Sequence, residues 1–485
     1  MAIFESGKKH KKNSDENRDC MPEDVQKLLF EAEEGDSKAQ YEIGVMYDEG
    51  RVVAQDEAEA MRWYTRAAEQ GHAFAQHNLG AMMYEKGRNG LNGSQNYAKA
   101  AEWFYEAAEQ GVAAAQNNLG LLYAGGLGVV QSDAEAALWY AKAAEQGLAD
   151  AQYNLGRMYA GGRGVGGRGV AWDDAKAAAL FAQAAEQGFA LAQNNIGMMY
   201  ENGCGVVLDD AKAAKWYAQA AEQGFAIAQH NLGRMYQKGK GVVQNDSEAV
   251  LWYKLAAEQG HAAAQHDLGW MYFYGQGAAK DEAEAVKWFF KAAEQGDAID
   301  QYNLAELYFY GTGIAQDHSK AVKWYTQAAE QGNVKAQFSL GSMYEEGWGV
   351  VQNDAEAVKW YTQAAEQGNV KAQFNLGVMY EQGRGVVRND AEAAKWYAQA
   401  AEQGNAEAQM GLGLMYDEGR GVAQNYAKAA KWYTQAAEQG DADVQTYLGW
   451  MYEEGRGVVQ DDSKAVSWYA RAAEQGNAAA QYNLG

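Results

Sequence analysis

The sequence has almost no proline: Pro22 is the only one in 485 residues, where average composition gives roughly 24. Cysteine is nearly as scarce, with only Cys20 and Cys204, too few for a disulfide framework in a chain of this length. No apolar run reaches the ~18 residues of a membrane-spanning helix. The first residues, MAIFESGKKHKKNSDENRD, lack the apolar core of a secretory signal. Bases are outnumbered as well: 41 Lys+Arg against 65 Asp+Glu leave a net charge of −24. Together these shortages exclude a collagen-like or proline-rich linker, a disulfide-stapled fold and membrane insertion. They also argue against nucleic acid as a partner, since gripping a phosphate backbone needs clustered bases. The chain as given is expected to be soluble and cytoplasmic; a periplasmic or secreted location requires a leader upstream of this N-terminus.

Glycine is abundant, at 56 residues, and it falls at fixed places. The Gln of an Ala-Gln-x-x-Leu-Gly motif recurs from Gln40 to Gln481 at spacings of 36, 40, 36, 41 and then 36 eight times. Length alone suggests about three domains. A period held this long instead marks tandem repeats, each a supersecondary unit stacked on the next. The organisation read from it is a tail without regular structure (1–20), a capping helix (21–35), twelve repeats (36–476) and an incomplete thirteenth (477–485). Because the chain stops midway through a helix, it is expected to be truncated or completed by another molecule.

Each unit contains two amphipathic helices. With the motif Gln as position zero, helix A carries apolar residues at −1, +3, +6 and +7, as in Ala151, Leu155, Met158 and Tyr159; at 100° per residue these share one side. Gly at +4 lets a partner helix approach. Helix B repeats Ala-x-x-Trp-Tyr-x-x-Ala-Ala, as in Ala357 to Ala365, and ends in Glu-Gln-Gly, where glycine suits a left-handed C′ position. Ser132 and Asn353 precede helix B as N-caps, with Glu135 and Glu356 three residues on. One feature opposes the local rules. The glutamate in the last turn of helix B (Glu69, Glu109, Glu145) sits against the helix dipole, and is expected to accept hydrogen bonds from the free N–H groups of the next helix A.

The run Ala-Gln-x-x-Leu-Gly-x-Met-Tyr, then Gly-x-Gly-Val, then Ala-x-x-Trp-Tyr-x-x-Ala-Ala-Glu-Gln-Gly closely resembles the Sel-1-like repeat, a relative of the tetratricopeptide repeat. The resemblance implies an all-α, right-handed solenoid of helical hairpins whose helices A line a concave groove. It also implies a non-enzymatic adaptor that holds a protein or peptide there. A cysteine-rich branch linked to β-lactams carries a disulfide in every repeat; this chain lacks those cysteines, and nothing from that branch transfers. The alternative function is an envelope or secreted factor touching peptidoglycan or a host protein.

Residues outside the repeated pattern are the candidates for a site. Eleven of the fifteen tryptophans are the regular helix B residue; Trp172, Trp270, Trp348 and Trp450 are not. Opposite the helix A core lie positions +1, +2, +5, +8 and +9. Position +2 is Asn in eight of thirteen units: Asn78, Asn118, Asn154, Asn195, Asn231, Asn303, Asn375 and Asn483. Such an amide column suits the main chain of an extended peptide, or else bridges neighbouring helices. Units seven and eight add Trp270, Phe273, Tyr274, Tyr302, Phe309 and Tyr310, with Trp450 at +5 farther on; these are binding anchors or inter-repeat packing. Groove positions of the last four units are acidic: Glu345, Glu346, Glu381, Asp417, Glu418, Glu453 and Glu454. The matching ligand has an apolar segment flanked by basic residues. No metal or cofactor is expected: His77, His230 and His266 share position +1 but fall short of the three or four ligands zinc takes. No nucleophile–base set departs from the pattern. The Gly-x-Gly-x-x-Gly at Gly162, Gly164 and Gly167 follows a helix rather than a strand and is a local duplication, not a dinucleotide loop.

Overall fold

The computed structural model describes residues 22–90, 92–160 and 170–484. The tail at 1–20, with Cys20 and the basic run Lys8–Lys12, and the duplicated glycines between 162 and 167 lie outside these residues. Among the described residues there are 26 helices and no strand: an all-α solenoid of tandem hairpins preceded by the helix Glu23–Glu33. The chain divides into two compact units, one reaching Trp252 and the other beginning at Tyr253. Each is built from the same hairpin, so one example describes the architecture. In the tenth repeat, helix A is Val370–Gln382 and helix B is Asp390–Glu402.

The core follows the sequence periodicity. Ala372, Leu376 and Met379, at −1, +3 and +6, are fully buried. Tyr380, at +7, is half-buried and touches the cores on both sides of its helix. The glycine at +4 permits the tightest approach. A Cβ on Gly377 would stand 2.6 Å from the Tyr397 ring, so helix A lies almost directly on this aromatic of its own helix B. The tyrosine, rather than the tryptophan before it, is therefore the deeper of the two helix B aromatics. Trp396 instead packs against helix B of repeat nine (Ala357, Tyr361, Ala364, Ala365) together with helix A of repeat ten. Trp63, Trp139, Trp288, Trp324 and Trp360 are buried like Trp396, whereas Trp103, Trp216, Trp252, Trp432 and Trp468 are only half-buried. The regular tryptophan joins one repeat to the next.

The motif glutamines are structural too. Gln373 is buried; its Nε2 donates to the Ala365 carbonyl of the preceding helix B at 3.0 Å. Its Oε1 accepts from Gln403, the C-cap of its own helix B, at 2.8 Å. The same two bonds recur, for example, at Gln40, Gln116 and Gln445. The Gln of Ala-Gln and the Gln of Glu-Gln-Gly are thus two ends of one amide chain, buried at the first and exposed at the second.

The helix ends correct one expectation. Ser132 and Asn353 cap helix B as read from sequence, accepting from Glu135 and Glu356 N–H groups. The last-turn glutamates do not cap the following helix A. Glu69, Glu109 and Glu145 are exposed, and Glu109 faces Lys142 of the next helix B at 3.5 Å. Where it is polar, the residue four before the motif Gln takes the capping role: Asp36, His72 and Asn369 accept from the N–H groups of Ala39, Ala75 and Ala372, whereas Val112, Leu148, Phe189 and Phe225 hold the position without a side-chain cap. The reason is geometric, since the helix B glutamate lies before the glycine turn and the true cap lies after it. In the second repeat the four extra residues lengthen both helices, to Ala73–Arg88 and Gly93–Glu109.

One backbone outlier yields a prediction. Val52 holds φ 67° where later repeats place the second glycine of Gly-x-Gly, and its side chain is largely exposed. Left-handed backbone costs an L-residue about 1–2 kcal/mol, more for a β-branched one. Val52→Gly should therefore raise stability by about 1 kcal/mol in urea unfolding, the flexibility of glycine offsetting part of the relief. Loss of stability would show that Val52 packing matters more than its backbone.

Candidate partner-binding face

The helix A face has three layers. The inner one consists of the +1 and +2 side chains. Asn118 donates toward His77 at 3.3 Å, Asn154 to Asn117 at 3.0 Å and Asn231 to Asn194 at 3.0 Å. In each pair the +2 amide reaches the +1 side chain of the preceding repeat. Asn78 and Asn375 sit beside the hydroxyls of Tyr64 and Tyr361, and Asn483 beside that of Tyr469. Asn195 and Asn303, both half-buried, make no side-chain hydrogen bond among the described residues. Much of the Asn column is therefore engaged between repeats, with these two amides left available.

The middle layer is position +8. The Tyr397 hydroxyl donates to Glu381 at 2.7 Å, and Arg420, from the turn of the following repeat, donates to the other oxygen at 2.7 Å. Burial, with the adjacent Glu381, pushes the Tyr397 pKa well above its ordinary value, so the phenol stays protonated as donor. Tyr361, Glu345 and Arg384 repeat the arrangement. Asp417 is held by Tyr447 and Arg456, each at 2.9 Å; burial and Asp417 raise the Tyr447 pKa to about 12. In the first unit, Glu201 takes Tyr217 at 2.8 Å and both of its oxygens face Arg234. Repeat eight substitutes an apolar pair at the same place: Phe309 meets Trp348 with ring centroids 5.4 Å apart. There the carboxylate moves to +5, where Glu306 accepts from Tyr325. Glu345, Glu381 and Asp417 thus act as inter-repeat nodes and are not free charges for a ligand. For Glu345, Glu381 and Asp417 the sequence carried this signal in the arginine at x of Gly-x-Gly, 39 residues after each, with Trp348 as its aromatic exception; Arg234 reaches Glu201 from position +5 of its own helix A instead.

The outer layer is position +9. Beyond Tyr253 it runs Tyr274, Tyr310, Glu346, Gln382, Glu418 and Glu454, and all six are exposed. Tyr274 and Tyr310 are 62% and 67% accessible, far more than a core tyrosine. Glu346 and Glu454 have no ion pair among the described residues, whereas Glu418 faces Arg420. The other predicted aromatics are only partly available. Trp270 lies edge-on to Phe289 at 4.9 Å and stacks on Tyr274 at 5.4 Å with 14° between planes. Phe273, Tyr302 and Phe309 are half-buried against the core of the eighth repeat. Trp450 is half-buried between Tyr447 and the Arg456 guanidinium, which sits 5.2 Å from its ring.

Two polar features complete the face. His266 Nδ1 is hydrogen-bonded to the buried Asp300, and its Nε2 accepts from the Trp270 indole at 3.1 Å. Asp300 raises the His266 pKa above its ordinary value, chiefly through that hydrogen bond and against the effect of burial. Cys204 is a half-buried free thiol against the core of the fifth repeat. Among the described residues no three His, Cys, Asp or Glu side chains converge as metal ligands. No helix there is long and apolar enough to cross a membrane.

Comparison with known proteins agrees with the repeat fold. The Sel1 repeat model matches twelve consecutive segments, 37–72, 73–112, 113–148, 149–189, 190–225, 226–261, 262–297, 298–333, 334–369, 370–405, 406–441 and 442–477. Among solved structures, the chain is similar to c5321, described as a protective antigen present in uropathogenic Escherichia coli strains and displaying an SLR fold. The two are 35% identical over 95% of this chain and 89% of that one, with a TM-score of 0.67. A Sel1 repeat protein from Oxalobacter formigenes is 36% identical over 63% of this chain and 88% of its own, with a TM-score of 0.51. No curated protein matches in sequence.

Proposed function

We propose that this chain, which belongs to the Sel1 repeat family, is a non-enzymatic scaffold holding an extended segment of a partner protein. Sel1 repeat proteins are generally protein-interaction scaffolds. The finer reading places the segment along the helix A face from the seventh repeat to the twelfth. The observation that carries it is the exposed +9 column, two tyrosines followed by mostly acidic residues. Exposed tyrosines are favoured anchors because they bury a large ring while keeping a polar tip. Packed helices stand about 8–10 Å apart, and an extended chain advances about 3.3 Å per residue, so about three ligand residues span one repeat. The ligand therefore carries an apolar or aromatic residue over Tyr274 and Tyr310. Lys or Arg follows opposite Glu346, Glu418 and Glu454, about six and then three ligand residues apart because Gln382 lies between the first two. Asn303, two turns before Tyr310 on the same helix, offers an amide to the ligand main chain.

Selection from a random peptide library on the immobilised protein tests this register. The expected winners place one apolar anchor before bases spaced by about six and then three residues. Winners without basic preference would refute the acidic half of the reading. A second reading, an envelope or secreted role, is favoured by the likeness to a protein described as a protective antigen. It predicts that antibody raised against this chain labels intact cells; labelling only after lysis would count against it.

A further inference from the structure

Asp300 departs most sharply from the repeat. Eleven of the thirteen units have Ala at this −1 position, and the twelfth repeat has Val444. A carboxylate 4% exposed is costly to bury without a partner, and its partner is His266 of the preceding helix A. The other His266 nitrogen fixes the protonation state. An indole N–H can only donate, so Nε2, which receives the Trp270 N–H at 3.1 Å, must be bare. The single proton of the neutral ring then lies on Nδ1, pointing at Asp300.

We propose that His266, Asp300 and Trp270 form a proton-operated latch: neutral His266 holds the Trp270 indole against Tyr274, and protonated His266 releases it. Protonation places an N–H on Nε2 facing the indole N–H, so the Trp270 hydrogen bond is lost. The Asp300 bond meanwhile becomes an ion pair. The other charged groups facing the ring are Asp267 on its own helix and Asp297 at the start of the next helix A, both favouring the proton. Helix B of the seventh repeat, Glu282–Glu294, presents the apolar edge of Phe289, 6.2 Å between centroids.

The molecule contains its own control. His77 occupies the same +1 position in the second repeat, where the facing −1 residue is Ala115, and burial lowers its proton affinity. In His266 the Asp300 hydrogen bond outweighs burial and raises it. With the folded value raised, the His266–Asp300 contribution to stability is full below the unfolded pKa of about 6.5 and fades as pH rises through the folded value. Acidification therefore frees Trp270 without weakening the scaffold at this contact. Trp270 stacks on the exposed Tyr274, so the latch controls the aromatic end of the +9 column; this consequence for binding rests on the proposed function, whereas the latch itself does not.

The test is a pH titration from 5 to 9 of the full chain carrying 5-fluorotryptophan, followed by fluorine NMR, with Trp270→Phe assigning the resonance. The Trp270 signal should titrate with a midpoint above 6.5, and Asp300→Ala should move that midpoint below 6.5. The Ala variant is the residue other repeats carry, and circular dichroism verifies its folding. A Trp270 signal that does not titrate, or a midpoint unmoved by Asp300→Ala, would overturn the latch. Affinity for a library-selected peptide is measured over the same range. A titrating Trp270 with pH-independent affinity supports the latch and removes Trp270 from the partner contact.

Discussion

Gly385→Ala should destabilise the protein by about 3 kcal/mol or more, although it adds a single methyl group. Gly385 is the second glycine of a Gly-x-Gly turn and has φ 67°, which costs an L-residue about 1–2 kcal/mol. A Cβ there would also overlap the backbone carbonyl of Asp354, at the start of the preceding helix B. Backbone inside a helix cannot rotate aside as a side chain can, so the overpacking penalty of about 1–3 kcal/mol adds to the strain. Gly377→Ala provides the contrast. Its new Cβ meets only the Tyr397 ring, and repeat eight already carries Ala305 in that slot above a buried Tyr325. A loss of about 1 kcal/mol is expected there. Urea unfolding of both variants decides between the two kinds of glycine; equal stabilities would contradict the turn argument.

Gln373→Leu should cost about 2 kcal/mol with little change in side-chain volume. It removes the donor to the Ala365 carbonyl and the acceptor for Gln403, at a site 3% exposed. The Ala365 carbonyl keeps the Gly368 N–H and Gln403 is exposed, so the loss is the net worth of two hydrogen bonds, about 0.5–1.5 kcal/mol each. Repeat proteins couple mainly to nearest neighbours, so amide hydrogen exchange should accelerate first in Asp354–Glu366 and Val370–Gln382. Uniform acceleration through the chain would mean the glutamine chain is not a local stitch.

The sequence made the repeat legible because helix packing imposes its own period. Leu376, Gly377 and Met379 do the same job in unit after unit: large apolar side chains fill the core at +3 and +6, and only glycine or alanine fits at +4. What periodicity could not supply was the division of labour among polar positions. Glu381 and Gln382 are neighbours on one helix, yet Glu381 is tied to Tyr397 and Arg420 while Gln382 faces solvent. Only the packing of the following turn separates them. The Asn column was ambiguous for the same reason, since Asn118 and Asn303 share a position while only Asn118 has a partner nearby. Trp270 looked like a free anchor from its position, but its ring is set between Phe289 and Tyr274. Asp300 lies on the core side of the helix at −1, where the period calls for alanine, and a single departure from a column carries no periodic signal.

The central claim is that the regular columns build the scaffold and the exposed +9 column binds the partner. Its most direct test is the affinity of a library-selected peptide for the Tyr274→Ala/Tyr310→Ala double variant, with thermal unfolding recorded in parallel. Both rings project from the surface, so the account predicts binding at least about tenfold weaker at an unchanged unfolding temperature. Unchanged affinity, or a loss that appears only together with a lowered unfolding temperature, would contradict it.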